Sequence, residues 1–325
     1  MHLPTLCLVT PALADANNGN WQTAQRWAQL LSGAFQVRIS SAWPDGHEAD
    51  ILLALHARRS APSVAAWANA HPERPLALAL TGTDLYKDIQ HDADAQRSLE
   101  LANHLIVLQA EGLHALPAHL QRKAHVIYPS STPLPAVNKT QAHLRVAMVG
   151  HLRDEKWPQV LWQTVQALHA DEGIYIDHIG KALEPAFAKE AERVSNQCPH
   201  YRWLGEQPYK QTRRSIQRAH VLVHTSRQEG GAHVIMEAVL SGTPVLASRV
   251  SGNVGMLGDD YPGYFEPGNA TQLAALLREC KRTQTQADGL LAQLTHACQA
   301  RAALFQPERE QNSLRALLTS ALHSV

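Results

Sequence analysis

The sequence predicts an α/β protein of two doubly wound parallel-sheet domains. Three observations predict it. Short apolar runs of β type alternate with longer helical patterns, the signature of parallel strands covered on both faces. The alternation breaks once, at the polar, proline-bearing stretch SSTPLPAVNKTQAH (130–143), and then restarts. The chain has 325 residues, 45% of them hydrophobic, enough for more than one core.

Taken in order, the first-half strands read LCLVT, QVRIS, ADILLALH, PLALALTG, HLIVLQ and AHVIYP. Between them lie helical patterns such as WQTAQRWAQLL and SVAAWANA. The second half reads LRVAMVG, IYIDHIG, YRWLG, HVLVHTS and TPVLAS, and from about Thr271 the tail is helical. Ligands in such sheets bind beyond the carboxyl ends of the strands, so two facing sheets are expected to leave a cleft between them.

Composition narrows the function. Lys+Arg and Asp+Glu both number 29, so the formal net charge is zero and no general grip on nucleic acid is expected. Cys7, Cys198, Cys280 and Cys298 form no C-x-x-C pair, and the 19 histidines are dispersed. Reduced thiols and a cytoplasmic setting follow as expectations. The start, MHLPTLCLVTPALADA, ends in small residues as a secretion signal does. It has no Lys or Arg in front, and Pro4 and Pro11 leave only a short apolar run, so LCLV reads as a first buried strand. No run of 18 apolar residues exists, so no membrane span is expected.

The motif of greatest interest is SRQEGGAHVIMEAVLSG (226–242). The helix expected from about Ala232 to Leu240 is apolar nearly all round and should be buried. A buried ionised carboxylate needs hydrogen-bond donors. Glu237, in its middle, therefore calls for donors, and vicinal sugar hydroxyls suit its two oxygens. Glu229 sits in the loop before it. Gly230 and Gly231 let backbone pass close to a ligand, and the helix start at Ala232 offers free N–H groups to phosphate. Read plainly, Glu229 is a helix-start acid and Glu237 half of an ion pair; their joint placement in a strand–loop–helix favours a ligand.

This stretch, between WLGEQP and SGTPVLAS, resembles the E-x7-E motif of retaining glycosyltransferases of the GT-B architecture, in which two Rossmann-like domains face across a cleft. The resemblance spans the chain. It implies a first, acceptor-side domain over 1–135, a nucleotide-sugar domain over 144–305, and a terminal helix over 306–325 that crosses back to the first. It places Glu237 on the donor ribose, and Glu229 with the Gly230 and Gly231 amides near the donor sugar; Gly205 of WLGEQP falls in the same donor set. In VGHLRDEKWP (149–158) the family pattern G-R-x-x-x-x-K neutralises the donor diphosphate. Gly150 and Lys156 match it; His151 stands where the arginine belongs, and Arg153 is the nearby cation that could take that charge. No D-x-D pair occupies the corresponding place, so no metal cofactor is expected.

In the first half, NNGNWQTAQRW (17–27) places Gly19 at a tight turn and Asn20 at a helix cap, or both against an acceptor or phosphate. LHARRSA (55–61) puts His56, Arg58 and Arg59 at a strand end, which suits an anion. TGTDLY (81–86) puts Thr81 and Asp84 at the next, with Asp84 either a turn residue or a sugar-hydroxyl ligand. PALADANNGNWQTAQRW, LHARRSA, LTGTDLY and VGHLRDEKWP together are similar to the selenosugar synthases of selenoneine biosynthesis. That resemblance implies transfer of a hexose or N-acetylhexosamine from a UDP-sugar, UDP-N-acetylglucosamine or UDP-glucose, to selenophosphate, with formation of a carbon–selenium bond. Glu229, Lys156, Arg153 and His56 are the residues expected to carry the chemistry. A selenophosphate anion needs little general-base help. Domain closure, hinged by the terminal helix, would exclude water. A homodimer is left open. Rival readings are an ordinary glycosyltransferase with a hydroxyl acceptor, a UDP-sugar epimerase or hydrolase, and a two-lobed sugar-binding regulator. A dinucleotide oxidoreductase is disfavoured because no G-x-G-x-x-G follows either first strand.

Overall fold

Apolar runs too short for helices pair side by side, and the helical stretches between them cover both faces. The computed structural model describes residues 3–11 and 19–323. The chain divides into two units, residues up to Ser130 with those from Leu304 onward, and Ser131–Ala303 between them.

In the first unit β1 (Thr5–Val9), β2 (Gln36–Ser40), β3 (Ile51–Leu55), β4 (Leu76–Leu80), β5 (His104–Val107) and β6 (Ala124–Val126) form one sheet in the order β2-β1-β3-β4-β5-β6. Every pairing is parallel, with Leu52 opposite Leu76 and Leu78 opposite Leu105. Because side chains alternate along a strand, β3 serves two cores. Leu52 and Ala54 pack with Val64 and Trp67 of α2 (Ala61–Ala70) and Leu99 of α3 (Ala93–Leu101). Ile51, Leu53 and Leu55 pack with Trp27 and Leu31 of α1 (Gly19–Leu31).

The second unit repeats the plan. Strands β7 (Leu144–Val149), β8 (Ile174–Ile179), β9 (Tyr201–Trp203), β10 (Val221–His224), β11 (Val245–Ser248) and β12 (Tyr264–Phe265) lie in the order β12-β11-β10-β7-β8-β9, all parallel. β12 has only two residues, too few to show in a sequence pattern. Helices α4 (Pro158–Ala167), α5 (Pro185–Gln197), α6 (Tyr209–Arg218), α7 (His233–Val239), α8 (Ser251–Leu257), α9 (Ala270–Arg282) and α10 (Leu290–Arg301) connect or follow the strands.

The stretch expected to be a linker is without helix or strand from 131 to 143, but it is fastened to the second unit. Leu134 N–H donates to the Leu240 carbonyl at 2.9 Å, Arg213 to the Thr132 carbonyl at 3.0 Å, and Gln217 to the Pro135 carbonyl at 2.7 Å. The division falls at Ser130, ahead of the expected 135, because these bonds bring residues 131–135 into the second unit.

The last helix, α11 (Pro307–His323), belongs to the first unit, where Leu314, Leu317, Leu318 and Ala321 complete the core beside Trp27. Its anchor is polar. Glu310, 1% exposed, accepts from Arg26 Nε at 2.9 Å, Trp27 Nε1 at 2.6 Å and the Ser130 N–H at 2.9 Å. One carboxylate thus joins α1, the point where the chain leaves the first unit, and the helix that returns to it. Removing it strands a largely buried guanidinium. Glu310→Ala should lower the unfolding free energy by about 3 kcal/mol, read from urea melts followed by tryptophan fluorescence. A loss within the spread of ordinary surface substitutions would show that apolar packing alone seats α11.

Candidate functional site

Parallel order puts the carboxyl ends of β7, β8 and β10 at one edge of the second sheet, so the loops that follow them are neighbours. After β7 the chain passes Gly150 and runs through residues 153–157. After β8 it passes Gly180. A Cβ on Gly180 would lie 1.9 Å from the Gly150 carbonyl oxygen, and its φ of +156° is one L side chains rarely adopt. Only glycine allows this approach. Gly205, after β9, receives the Gly180 N–H at 2.8 Å.

The loops after β7 and β10 are joined by several bonds. Thr225 Oγ1 donates to the Lys156 carbonyl at 2.8 Å, and the Arg227 N–H to the Glu155 carbonyl at 2.9 Å. Trp157 holds a left-handed backbone (φ 48°, ψ 56°), a strain of about 1 kcal/mol for a residue with a Cβ. The Arg227 guanidinium lies 4.1 Å from its ring centroid, and the ring also packs on Gly268.

These contacts bring together the two residues the sequence marked most strongly. Lys156 Nζ donates to Glu229 Oε1 at 2.5 Å. The same oxygen lies 3.0 Å from His224 Nε2, at the end of β10. Burial by itself pushes the Glu229 carboxyl up; the Lys156 charge and the His224 hydrogen bond outweigh it and hold the group well below the usual range. His224, 1% exposed, is pushed below the ordinary histidine range by burial. Sequence reading passed over it as the last residue of an apolar strand. Gly252 was also missed. A Cβ there would lie 1.9 Å from the Glu229 carbonyl oxygen, so α8 can approach this loop only through a glycine.

Glu237 lies inside α7, 8% exposed, with Ser241 Oγ donating to its backbone carbonyl at 2.6 Å. Gly230 and Ala232 are buried and Gly231 half-buried at the entry to that helix. His151 Nδ1 accepts the Lys181 N–H at 3.2 Å, and burial lowers its pKa. Arg153 is not part of the Lys156–Glu229 pair. Its nearest carboxylate is Glu155, 3.6 Å away, and its side chain is 43% exposed.

In the first unit, His56 closes β3 in a left-handed conformation (φ 75°) and is 2% exposed. Its Nδ1 accepts the Arg59 N–H at 3.4 Å, so Nε2 carries the hydrogen toward Thr83 Oγ1, 3.3 Å away. Asp84, with no exposure, is committed to backbone. Oδ1 accepts from Thr81 and Gly82, and Oδ2 from Ala57, all within 3.0 Å. Of the two open roles, the turn residue is the one its geometry fits: a carboxylate surrounded by amides has no edge left for a sugar. Arg58 pairs with Asp88 at 2.9 Å. Arg59 is exposed and makes no ion pair with a described residue. Gly19 and Asn20 fall inside the first turn of α1, so Asn20 is not its cap, and Gly19 borders open space. Residues 12–18 of the expected loop lie outside the described residues. Among the described residues no three His, Cys, Asp or Glu side chains group as a metal site, and no helix is long and apolar enough to cross a membrane.

Comparison with known proteins bears on the fold that carries these loops. Residues 135–293, which lie within the second unit, match the family Glycosyl transferases group 1. A Xenopus tropicalis protein, glycosyltransferase 1 domain-containing protein 1, is 30% identical over 138 residues, covering 42% of this chain and 40% of its own length. The chain therefore spans well under half of that relative. The Anabaena protein HepE, solved with UDP and glucose, is similar over 98% of this chain and 100% of its own (TM-score 0.75, 17% identity). Sucrose-phosphate synthase from Thermosynechococcus elongatus is similar over 100% of both chains (TM-score 0.74, 16% identity). The fold is GT-B: two Rossmann-like parallel-sheet domains.

The Lys156–Glu229 pair makes a pH prediction. Glu229 is held below its ordinary value, near 4.3, so its contribution is complete above that value and fades as pH falls through the folded value. Without the lysine, the buried Glu229–His224 pair binds a proton more tightly than it does in the wild type. The stability gap between wild type and Lys156→Met should therefore be widest at neutral pH and narrow toward roughly pH 4, measured by thermal melts across that range. A gap independent of pH would mean the contact is packing rather than charge.

Proposed function

We propose that the protein is a UDP-sugar-dependent glycosyltransferase that moves a hexose or N-acetylhexosamine to selenophosphate, forming a carbon–selenium bond. The observation that carries the donor half is the meeting of Lys156 and Glu229 at the strand ends of the second sheet, with buried Glu237 on the next helix. In this reading UDP-N-acetylglucosamine or UDP-glucose lies along that edge. Glu237 takes the ribose hydroxyls. Glu229, with the Gly230 and Gly231 amides and Ala232, faces the donor sugar, and Gly150, His151 and Gly205 line the nucleotide. A relative of the same fold that holds UDP and glucose supports this donor class.

The leaving group is a nucleoside diphosphate, so catalysis rests on meeting its developing charge. Lys156 is the cation in place for it, and Arg153 is close enough in sequence to add a second. Helix α7 spans only seven residues and contributes little dipole, which leaves more of that work to side chains. No metal cofactor is proposed, since no D-x-D pair stands in the loops after β7 and β10. The four thiols are unpaired, which fits the proposed cytoplasmic setting.

Acceptor binding is placed on the first unit. Selenophosphate arrives as an anion with a soft nucleophilic selenium and requires no base to remove a proton. The Se lone pair attacks the anomeric carbon as its bond to the diphosphate oxygen breaks, and UDP leaves with that electron pair. The residues to favour are cations and N–H donors. Arg59, exposed and without an ion pair to any described residue, is better suited than Arg58, which Asp88 already neutralises. His56 Nε2–H, Thr81 and the backbone near Gly19 and Asn20 supply neutral contacts.

The deciding experiment incubates the protein with UDP-sugars and, in separate arms, selenophosphate, thiophosphate and simple sugars, and reads products by mass. A selenium-linked sugar is expected. Products only with hydroxyl acceptors would replace selenophosphate by an ordinary acceptor, and UDP released with no adduct would point to a hydrolase. Arg59→Ala should lower kcat/KM for the acceptor about tenfold, one lost charge-assisted contact, and spare UDP binding. Glu237→Ala should do the reverse and weaken UDP-sugar binding by roughly tenfold or more.

A further inference from the structure

His224 is unexplained by the proposed reaction. It is 1% exposed, sits at the end of β10, and its Nε2 lies 3.0 Å from the Glu229 oxygen that Lys156 also holds at 2.5 Å. With Glu229 ionised, Nε2 must carry the hydrogen. The neutral Ser226 hydroxyl is 3.2 Å away. The charged groups acting on the ring are Glu229, from the loop after β10, and Lys156, from the loop after β7. Two donors thus share one carboxylate oxygen in a buried place, and Lys156, His224 and Glu229 together carry a net charge of zero if His224 is neutral.

We infer that His224 is a proton-linked positioning residue of the donor site: when Lys156 turns to the donor diphosphate, His224 takes up a proton and replaces it as the charged partner of Glu229. The inference rests on the donor reading above. The argument is one of charge. Lys156 cannot serve the diphosphate and Glu229 equally. A Glu229 side chain only 11% exposed cannot be left ionised beside neutral donors alone without a large penalty. His224 is already in place, and its remaining nitrogen, Nδ1, takes the proton from solvent. Losing the nearby lysine charge and keeping the carboxylate both favour the imidazolium. Glu229 then keeps its geometry toward the sugar while the lysine changes partner.

The sign follows from linkage. A group that binds a proton more tightly in the complex makes binding tighter as pH falls. Calorimetric titration of the full-length protein with UDP-glucose and with UDP-N-acetylglucosamine, at neutral pH in buffers of different ionisation heat, counts the protons. Neither ligand's diphosphate titrates there. Wild type should take up on the order of half a proton, and its affinity should rise severalfold from pH 8 to pH 6. His224→Gln, which keeps a donor at the Nε2 position, should still bind, with no uptake and a flat profile. In Lys156→Met the histidine is already charged before the ligand arrives, so uptake should vanish there too. Binding without uptake in wild type, or uptake that persists in His224→Gln, overturns this inference and leaves the donor site standing. Binding of neither ligand overturns both. Should His224→Gln fail to fold, the wild-type proton count and the Lys156→Met count decide.

Discussion

A buried carboxylate needs partners before it can stay ionised, and the second unit of this protein is arranged around one. Glu229 draws its donors from two different strand ends: Lys156 from the loop after β7 and His224 from β10 itself. Everything nearby serves to keep those groups in reach. Thr225 fixes the lysine's backbone, Trp157 accepts a strained conformation under Arg227, and Gly252 lets α8 come close behind. The parallel sheet makes this possible, because it delivers successive loops to the same edge.

The first unit solves the same problem for a structural purpose. Glu310, on α11, is as buried as a carboxylate can be, and it takes its hydrogen bonds from Arg26 and Trp27 of α1 and from the backbone at Ser130. A helix 180 residues downstream of Ser130 is thereby tied to the point where the chain departs. Asp84 does the equivalent at a smaller scale, holding the ends of β3 and β4 through three amides. Both carboxylates are thus fully committed to architecture, whereas the exposed Arg59 makes no ion pair with a described residue.

Much of this was legible in the sequence. The eleven longer strands stand out as apolar runs, and Glu229, Glu237 and Lys156 stand out as polar residues in apolar or glycine-rich company. The two-residue β12 did not, since so short a strand owes its existence to its neighbour β11. Pattern could not reveal that hydrogen bonds involving Leu134, Arg213 and Gln217 hold the linker stretch to the second unit. Arg58 and Arg59 are indistinguishable as letters. Only packing decides that one meets Asp88 while the other meets no carboxylate among the described residues.

What the sequence determined by itself is the alternation of apolar strand and amphipathic helix, hence two parallel sheets, and the oddity of acids placed among oily residues. Those are local properties, written in spacing and residue type. What the tertiary structure alone decided is partnership: that Lys156 and His224 converge on one oxygen of Glu229, and that Glu310 reaches Ser130. Residues 73 and 180 positions apart become neighbours only when strand order is set, and strand order is fixed by burial of the whole chain rather than by any segment of it.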